Sequence, residues 1–199
     1  MKKTLFFFLV FVFSATFLYA ETMKNATVEA IGKETALELK KTLMSKMQES
    51  IKKDGVVKTI DFCAKNALVL TEEVGSQKKG VKIKRVSQKQ RNDFNAPDKI
   101  DEVAFEYFKQ LKEHDGEYPS SFMTRLRHKK NKDINIYRYY EPMIIQEPCL
   151  ACHGSDIKPE VKKAINSFYP NDKAVDYKLG DLRGLISVEI TPDIFEVKQ

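Results

Sequence analysis

Hydrophobic and polar positions alternate along the chain in a sequence of distinct regimes. Leu5 to Leu18 (LFFFLVFVFSATFL) is an almost uninterrupted apolar run behind a short basic start, Met1-Lys2-Lys3-Thr4. Ala36, Leu39, Leu43 and Met47 then recur at spacings of three and four among Lys, Glu and Gln, which predicts an amphipathic helix from about Thr27 to Lys52. Asp54-Gly55 breaks the pattern, and Val56, Ile60, Cys63, Ala67 and Leu70 line one face of a second helix ending near Gly75. Val81 to Val86 begins with strand-like alternation. The segment NDFNAPD, Asn92 to Asp98, is turn chemistry, and Pro97-Asp98 opens a helix carrying Ile100, Val103, Ala104, Tyr107, Phe108 and Leu111. His114-Asp115-Gly116 stops it. From Phe122 to Ile145 the chain reads as β-rich, interrupted by the charged turn KKNKD. A short helix is expected after Pro159, with Val161, Ala164, Ile165 and Phe168 inward, and Gly184 to Ile190 is a last strand. Helices first and mostly sequence-adjacent strands afterwards predict an α+β fold with an antiparallel sheet.

Composition narrows the class. The chain has 199 residues, 42% hydrophobic and 31% charged, enough for one globular domain with a real core. Its net charge is +6, but no Lys/Arg block is interleaved with aromatics, so no nucleic-acid partner is expected. The basic start, the apolar run and the small residue Ala20 together make residues 1–20 a secretory signal peptide. The alternative is an uncleaved anchor, because Leu18 is not the small residue favoured before a cut, although the run is short against the roughly 20 residues a spanning helix needs. Residues 21–199 are then a single exported domain, periplasmic or equivalent. No membrane span is expected after cleavage.

Chemistry concentrates at Cys149-Leu150-Ala151-Cys152-His153, a C-x-x-C-H sequence, the attachment signature of a c-type haem. Two thiols at this spacing can add to the two vinyl groups on one porphyrin edge, and the adjacent histidine can reach the iron as proximal ligand. A redox disulfide or half of a zinc site are the competing readings. Zinc would want more Cys or His at ligand spacing, and a redox C-x-x-C normally opens a helix after a strand in a βαβ unit. One motif means one covalent haem c. Donors for the distal position are Met23, Met44, Met47, Met123, Met143, His114, His128 and Cys63. Cys63 stands out on its apolar helical face in an oxidising compartment, either as an inert buried thiol or as one held by a metal. The two haem carboxylates need cationic or hydrogen-bonding partners. Arg91 and Arg85 are the first candidates, with Tyr139 and Tyr140 as further haem surroundings. Otherwise the arginines are solvated and the tyrosines pack within a strand.

These residues resemble a family of secreted c-type haem proteins and sensor ectodomains with a PAS-like fold, a domain of unknown function first seen in a cyanobacterial cytochrome. The resemblance runs from about Glu34 to Ile190. It rests on Ile60-Asp61-Phe62-Cys63 with Ala67, Ile83 to Ser87, Arg91 to Asp98, Tyr139-Tyr140-Glu141-Pro142, Cys149 to Gly154, and Gly180-Asp181-Leu182-Arg183-Gly184. Asp93 stands where members usually carry proline. The resemblance implies an antiparallel PAS-type sheet with long N-terminal helices, and histidine–cysteine axial ligation with Cys63 in the cysteine position. Such an iron suits a low-potential electron carrier, since a thiolate favours the ferric state. The alternative is a haem-based sensor of redox state or of a small gas such as NO or CO. Either role needs an unidentified redox or signalling partner protein. With a six-coordinate iron and no other catalytic constellation, no enzymatic activity is expected.

Overall fold

The computed structural model describes the backbone of residues 2–127 and 135–191, with side chains from residue 25 onward. Helix α1 spans Lys2–Ser76 and is broken once, at Gly55, where φ 79° and ψ 170° lie outside the helical region. A residue with a Cβ rarely adopts that φ, so glycine there turns one helix into two arms. Arm residues Thr59 and Ser50 are joined by a 2.9 Å hydrogen bond, and Lys78 just beyond the helix pairs with Glu34 at 3.0 Å, so the arms fold back side by side. The first arm starts upstream of the expected Thr27. No glycine or proline lies between Lys2 and Ile31 to interrupt it. The expected signal segment falls where only the backbone is described. Among the described residues, no helix is long and apolar enough to cross a membrane.

Four antiparallel strands form the sheet: β1 (Val81–Val86), β2 (Phe122–Arg127), β3 (Asn135–Ile144) and β4 (Leu182–Ile190), in the order β1-β4-β3-β2. The fold is thus α+β and PAS-like. Pairings β2·β3 and β3·β4 join consecutive strands, as expected, and β4 also pairs with β1, setting Val188 opposite both Ile83 and Tyr139.

Strand parity assigns the two faces. Ile83, Tyr139, Val188 and Ile190 point to the side covered by α1, against Val28, Ala36, Leu39 and Val74. Contact is closest at Gly32, where a Cβ would lie only 2.8 Å from Cδ1 of the Tyr139 ring and nearer still to its other carbons. Val86, Tyr140 and Leu185 point the other way, against Ala104, Phe105 and Phe108 of α2 (Lys99–Asp115). Asp98 caps that helix: its carboxylate accepts from Ile100 and Asp101 N–H, and Asp101 accepts in return from Asp98 N–H at 2.8 Å. Val103, expected inward, is 58% exposed and Phe105 takes the buried position, so the helix is rotated from the expected face. In α4 (Pro159–Phe168), Val161 and Ile165 are buried as expected, while Phe168 is exposed.

Candidate functional site

The C-x-x-C-H segment is a tight double turn. A 3-10 turn, Glu147–Cys149, runs directly into α3 (Leu150–His153), and Gly154 ends it. Cys149 packs against Ile145, Ala174 and Tyr177, whereas Cys152 faces Ile60, Val161 and Ile165. No disulfide joins Cys63, Cys149 and Cys152. His153 Nδ1 lies 2.8 Å from the Ala174 carbonyl. A carbonyl can only accept, so Nδ1 carries the proton and Nε2 keeps its lone pair. Burial, followed by the Arg183 and Arg91 guanidiniums, pushes the imidazole pKa down to about 3, and the ring is neutral at ordinary pH. Tyr177 meets the ring edge-on at 6.2 Å.

Cys63 comes to this segment from the second arm of α1. Ile60, one turn before it, shares an apolar cluster with Cys152. Burial pushes the Cys63 thiol up, Arg85 and Arg91 pull it down, and nearby Cys152 raises it again. Arg85 has the parity of Val81 and Ile83, so it points toward α1 and donates to Ala67 O at 3.3 Å. Its Nε is shut off from water and has no partner, and burial and then Arg183 push its pKa down. Arg91 is engaged through Nε and Nη2. It donates to Cys152 O at 2.6 Å, to Ala174 O at 3.2 Å, and pairs with Asp172 at 3.0 Å. Arg183 donates to Ser87 Oγ at 2.7 Å and to Lys89 O, with its guanidinium 5.5 Å from the Tyr177 ring centre. Three arginines therefore converge on His153 and Cys63.

Other sequence candidates are placed elsewhere. Tyr139 lies under α1, with its hydroxyl on Glu141 at 3.3 Å, and burial followed by Glu141 pushes its pKa up to about 12. Tyr140 lies on the opposite face and donates to Asp101 at 3.0 Å. Both rings pack within the sheet, Tyr139 against the α1 cluster and Tyr140 against the α2 cluster. Met123 and Met143 pack against the α1 cluster, Met44 is exposed, and Met47 sits on the first arm of α1. His114 is 84% exposed beside Asp115. His128 and the Met23 side chain fall outside the described residues. Sequence reasoning missed Tyr169, Asp172, the Ala174 carbonyl, Tyr177 and Arg183. Only Arg183 carried a signal, its place in the GDLRG stretch; a backbone carbonyl has no side-chain signature.

This donor set fits a haem. A neutral imidazole with a free Nε2 stands beside two thiols, with a third thiol close by and guanidinium N–H groups for carboxylates. A cleft of about 300 Å³, bounded by Ala64, Arg91, Phe94, Phe168 and Tyr169, opens next to Cys63. Phe94 is 84% and Phe168 40% exposed there, apolar area that a porphyrin would cover.

A family model described as Tll0287-like (Tll0287) matches residues 20–191. Among solved structures, the chain is similar to the crystal structure of the cyanobacterial heme-protein Tll0287, at 23% identity and a TM-score of 0.52, covering 81% of this chain and 97% of that one. No curated protein matches.

Proposed function

The chain belongs to the Tll0287-like family, and on that premise we propose that it is a haem-binding redox protein, a periplasmic mono-haem c-type cytochrome transferring electrons at low potential. The observation that carries the reading is the approach of Cys63, on the second arm of α1, to Cys152 beside His153 on α3, two elements of the fold contributing donors to one place. The likeness to a structure described as a heme-protein supports it, and the N-terminal basic and apolar pattern supports the compartment. Cys149 and Cys152 would hold the haem through thioethers, with His153 as proximal and Cys63 as distal iron donor. Bound, the haem supplies a one-electron iron centre.

The chain's own groups do the rest. Ala174 O fixes the His153 ring and its tautomer. Burial raises the Cys63 thiol pKa, and Arg85 and Arg91 beside it act in the opposite sense; a thiolate donor would favour the oxidised metal and lower the potential relative to His/Met cytochromes. Arg85, with a buried N–H lacking a partner, suits a propionate better than Arg91, whose Nε and Nη2 are already engaged. The test is a redox titration of the purified protein with absorption spectra, on wild type and Cys63→Ser. The expected result is a low potential, raised by the substitution, with loss of thiolate charge-transfer bands and new CO binding by the ferrous form. An unchanged ferric spectrum in Cys63→Ser would sink the ligand assignment. Ready CO or NO binding by the wild type would favour sensing over electron transfer.

A further inference from the structure

A second cavity, of about 310 Å³, is lined in part by Tyr177 and lies between the segment after β1, helix α2 and the start of β4. Lys89, Lys109 and Arg183 line it together with the hydroxyl-bearing Ser87 and Tyr118, and Phe105 and Leu182 give it an apolar wall. Two of the cations crowd one ring: Lys89 Nζ is 4.5 Å and the Arg183 guanidinium 5.5 Å from the centre of Tyr177. Among the described residues none of the three cations forms an ion pair with a carboxylate. Arg183 donates instead to Ser87 Oγ and Lys89 O, and Lys89 to Val175 O. Two acids also line the cavity, Asp176 and Asp181, the latter accepting from Lys178 N–H at 2.7 Å, so three cations face two carboxylates. The excess of positive charge favours an anion placed among Lys89, Lys109 and Arg183.

We propose that this cavity is a binding site for a small organic carboxylate with an apolar body, its carboxylate held by Arg183, Lys89 and Lys109 and its body against Phe105, Leu182 and Tyr177. The volume is at the lower end of the range for small-molecule sites and admits one ligand of about benzoate size with a few waters. Asp176, in the same wall, is held at φ 61°, the left-handed region uncommon for residues other than glycine. Its N–H bonds Gly154 O at 3.2 Å, and Tyr177 N–H bonds His153 O at 3.0 Å, so the cavity wall is tied directly to the C-x-x-C-H segment. An occupant would therefore touch the ring that packs on His153. The site goes beyond the haem reading and does not depend on it.

Isothermal titration calorimetry of the purified full chain with sodium benzoate tests the site, with benzyl alcohol as the neutral isostere. Saturable uptake of benzoate is expected, with benzyl alcohol about tenfold weaker or worse, since a charge-assisted hydrogen bond is roughly twice as strong as a neutral one. Lys109→Gln and Arg183→Gln should each weaken benzoate by about tenfold. Lys109 is at the cavity rim on α2, so its variant decides alone if Arg183→Gln folds poorly. No saturable uptake, equal uptake of benzyl alcohol, or unchanged affinity in Lys109→Gln would each overturn the proposal and leave Arg183 to the haem's own carboxylates.

Discussion

Replacing Arg91 with glutamine should cost the protein much of its stability, through the carboxylate left behind. Asp172 is 4% exposed and Arg91 14%, and they pair at 3.0 Å through a guanidinium that also reaches Cys152 O and Ala174 O. Breaking a buried pair by removing one partner costs about 3–5 kcal/mol, because the remaining charge has lost both water and counter-ion. Against a typical stability of about 5–15 kcal/mol, that is a large fraction. The cost should fall in the double variant Arg91→Gln with Asp172→Asn. The neutral amide oxygen can still accept from Ala174 N–H, now bonded to Asp172 Oδ1 at 2.8 Å, and about 2 kcal/mol or more should return. Urea denaturation followed by far-UV circular dichroism measures both single variants and the double variant without reference to a cofactor. Additive single-variant costs, with a coupling below about 0.5 kcal/mol, would refute the clamp and return Arg91 to the role of a solvent-facing or propionate-binding cation.

Three further outcomes are expected. Cys149→Ser with Cys152→Ser should abolish covalent haem, so haem surviving acidic acetone extraction in the double variant would count against the attachment. Gly32→Ala gains about 1 kcal/mol of helix propensity but drives a Cβ into the buried Tyr139 ring; overpacking costs about 1–3 kcal/mol, so thermal denaturation should show a net loss, and a stabilised variant would contradict the close approach. Burial alone would raise the Asp98 carboxyl pKa, but hydrogen bonds from Asp101 N–H, Arg138 and Lys84 hold it well below its ordinary 3.8. Its contribution is then complete above pH 3.8 and lost as pH falls below that value, so Asp98→Asn should flatten the acid limb of stability, and an identical limb in both proteins would count against the network.

Sequence alone exposed the parts of this fold that depend on neighbours in the chain. The break at Gly55, the cap at Asp98 and the stop at Gly116 were readable because each is local backbone chemistry. So was the apolar face that brings Cys63 inward, since its spacing follows the helical repeat. The insertion of β4 between β1 and β3 was not readable, because strand order is settled by which faces bury each other and not by the alternation of any one strand. Val103 and Phe105 exchange places for the same reason: the α2 stripe is broad enough for two rotations, and contact with Val86 and Leu185 decides between them. At the site, thiols and imidazole announce themselves by spacing. Arg183 is summoned by tertiary structure, 96 residues along the chain from its partner Ser87, a separation no motif rule spans.

Placing the last strand at the middle of the sheet also sets an order of events. Nothing in the sheet joins β1 to β3 until β4 arrives between them, setting Ile186 opposite Arg85 on one side and Glu141 on the other. A chain made from its N-terminus contains Cys149, Cys152 and His153 before Leu182 to Ile190 are added. During that interval Arg183 is absent and Arg85 has no neighbouring strand, while the thiols stand open on an unclosed sheet. Pairings this distant in sequence form late and slowly. The last strand therefore completes the sheet and, by the same pairing, carries Arg183 to Ser87 beside the motif.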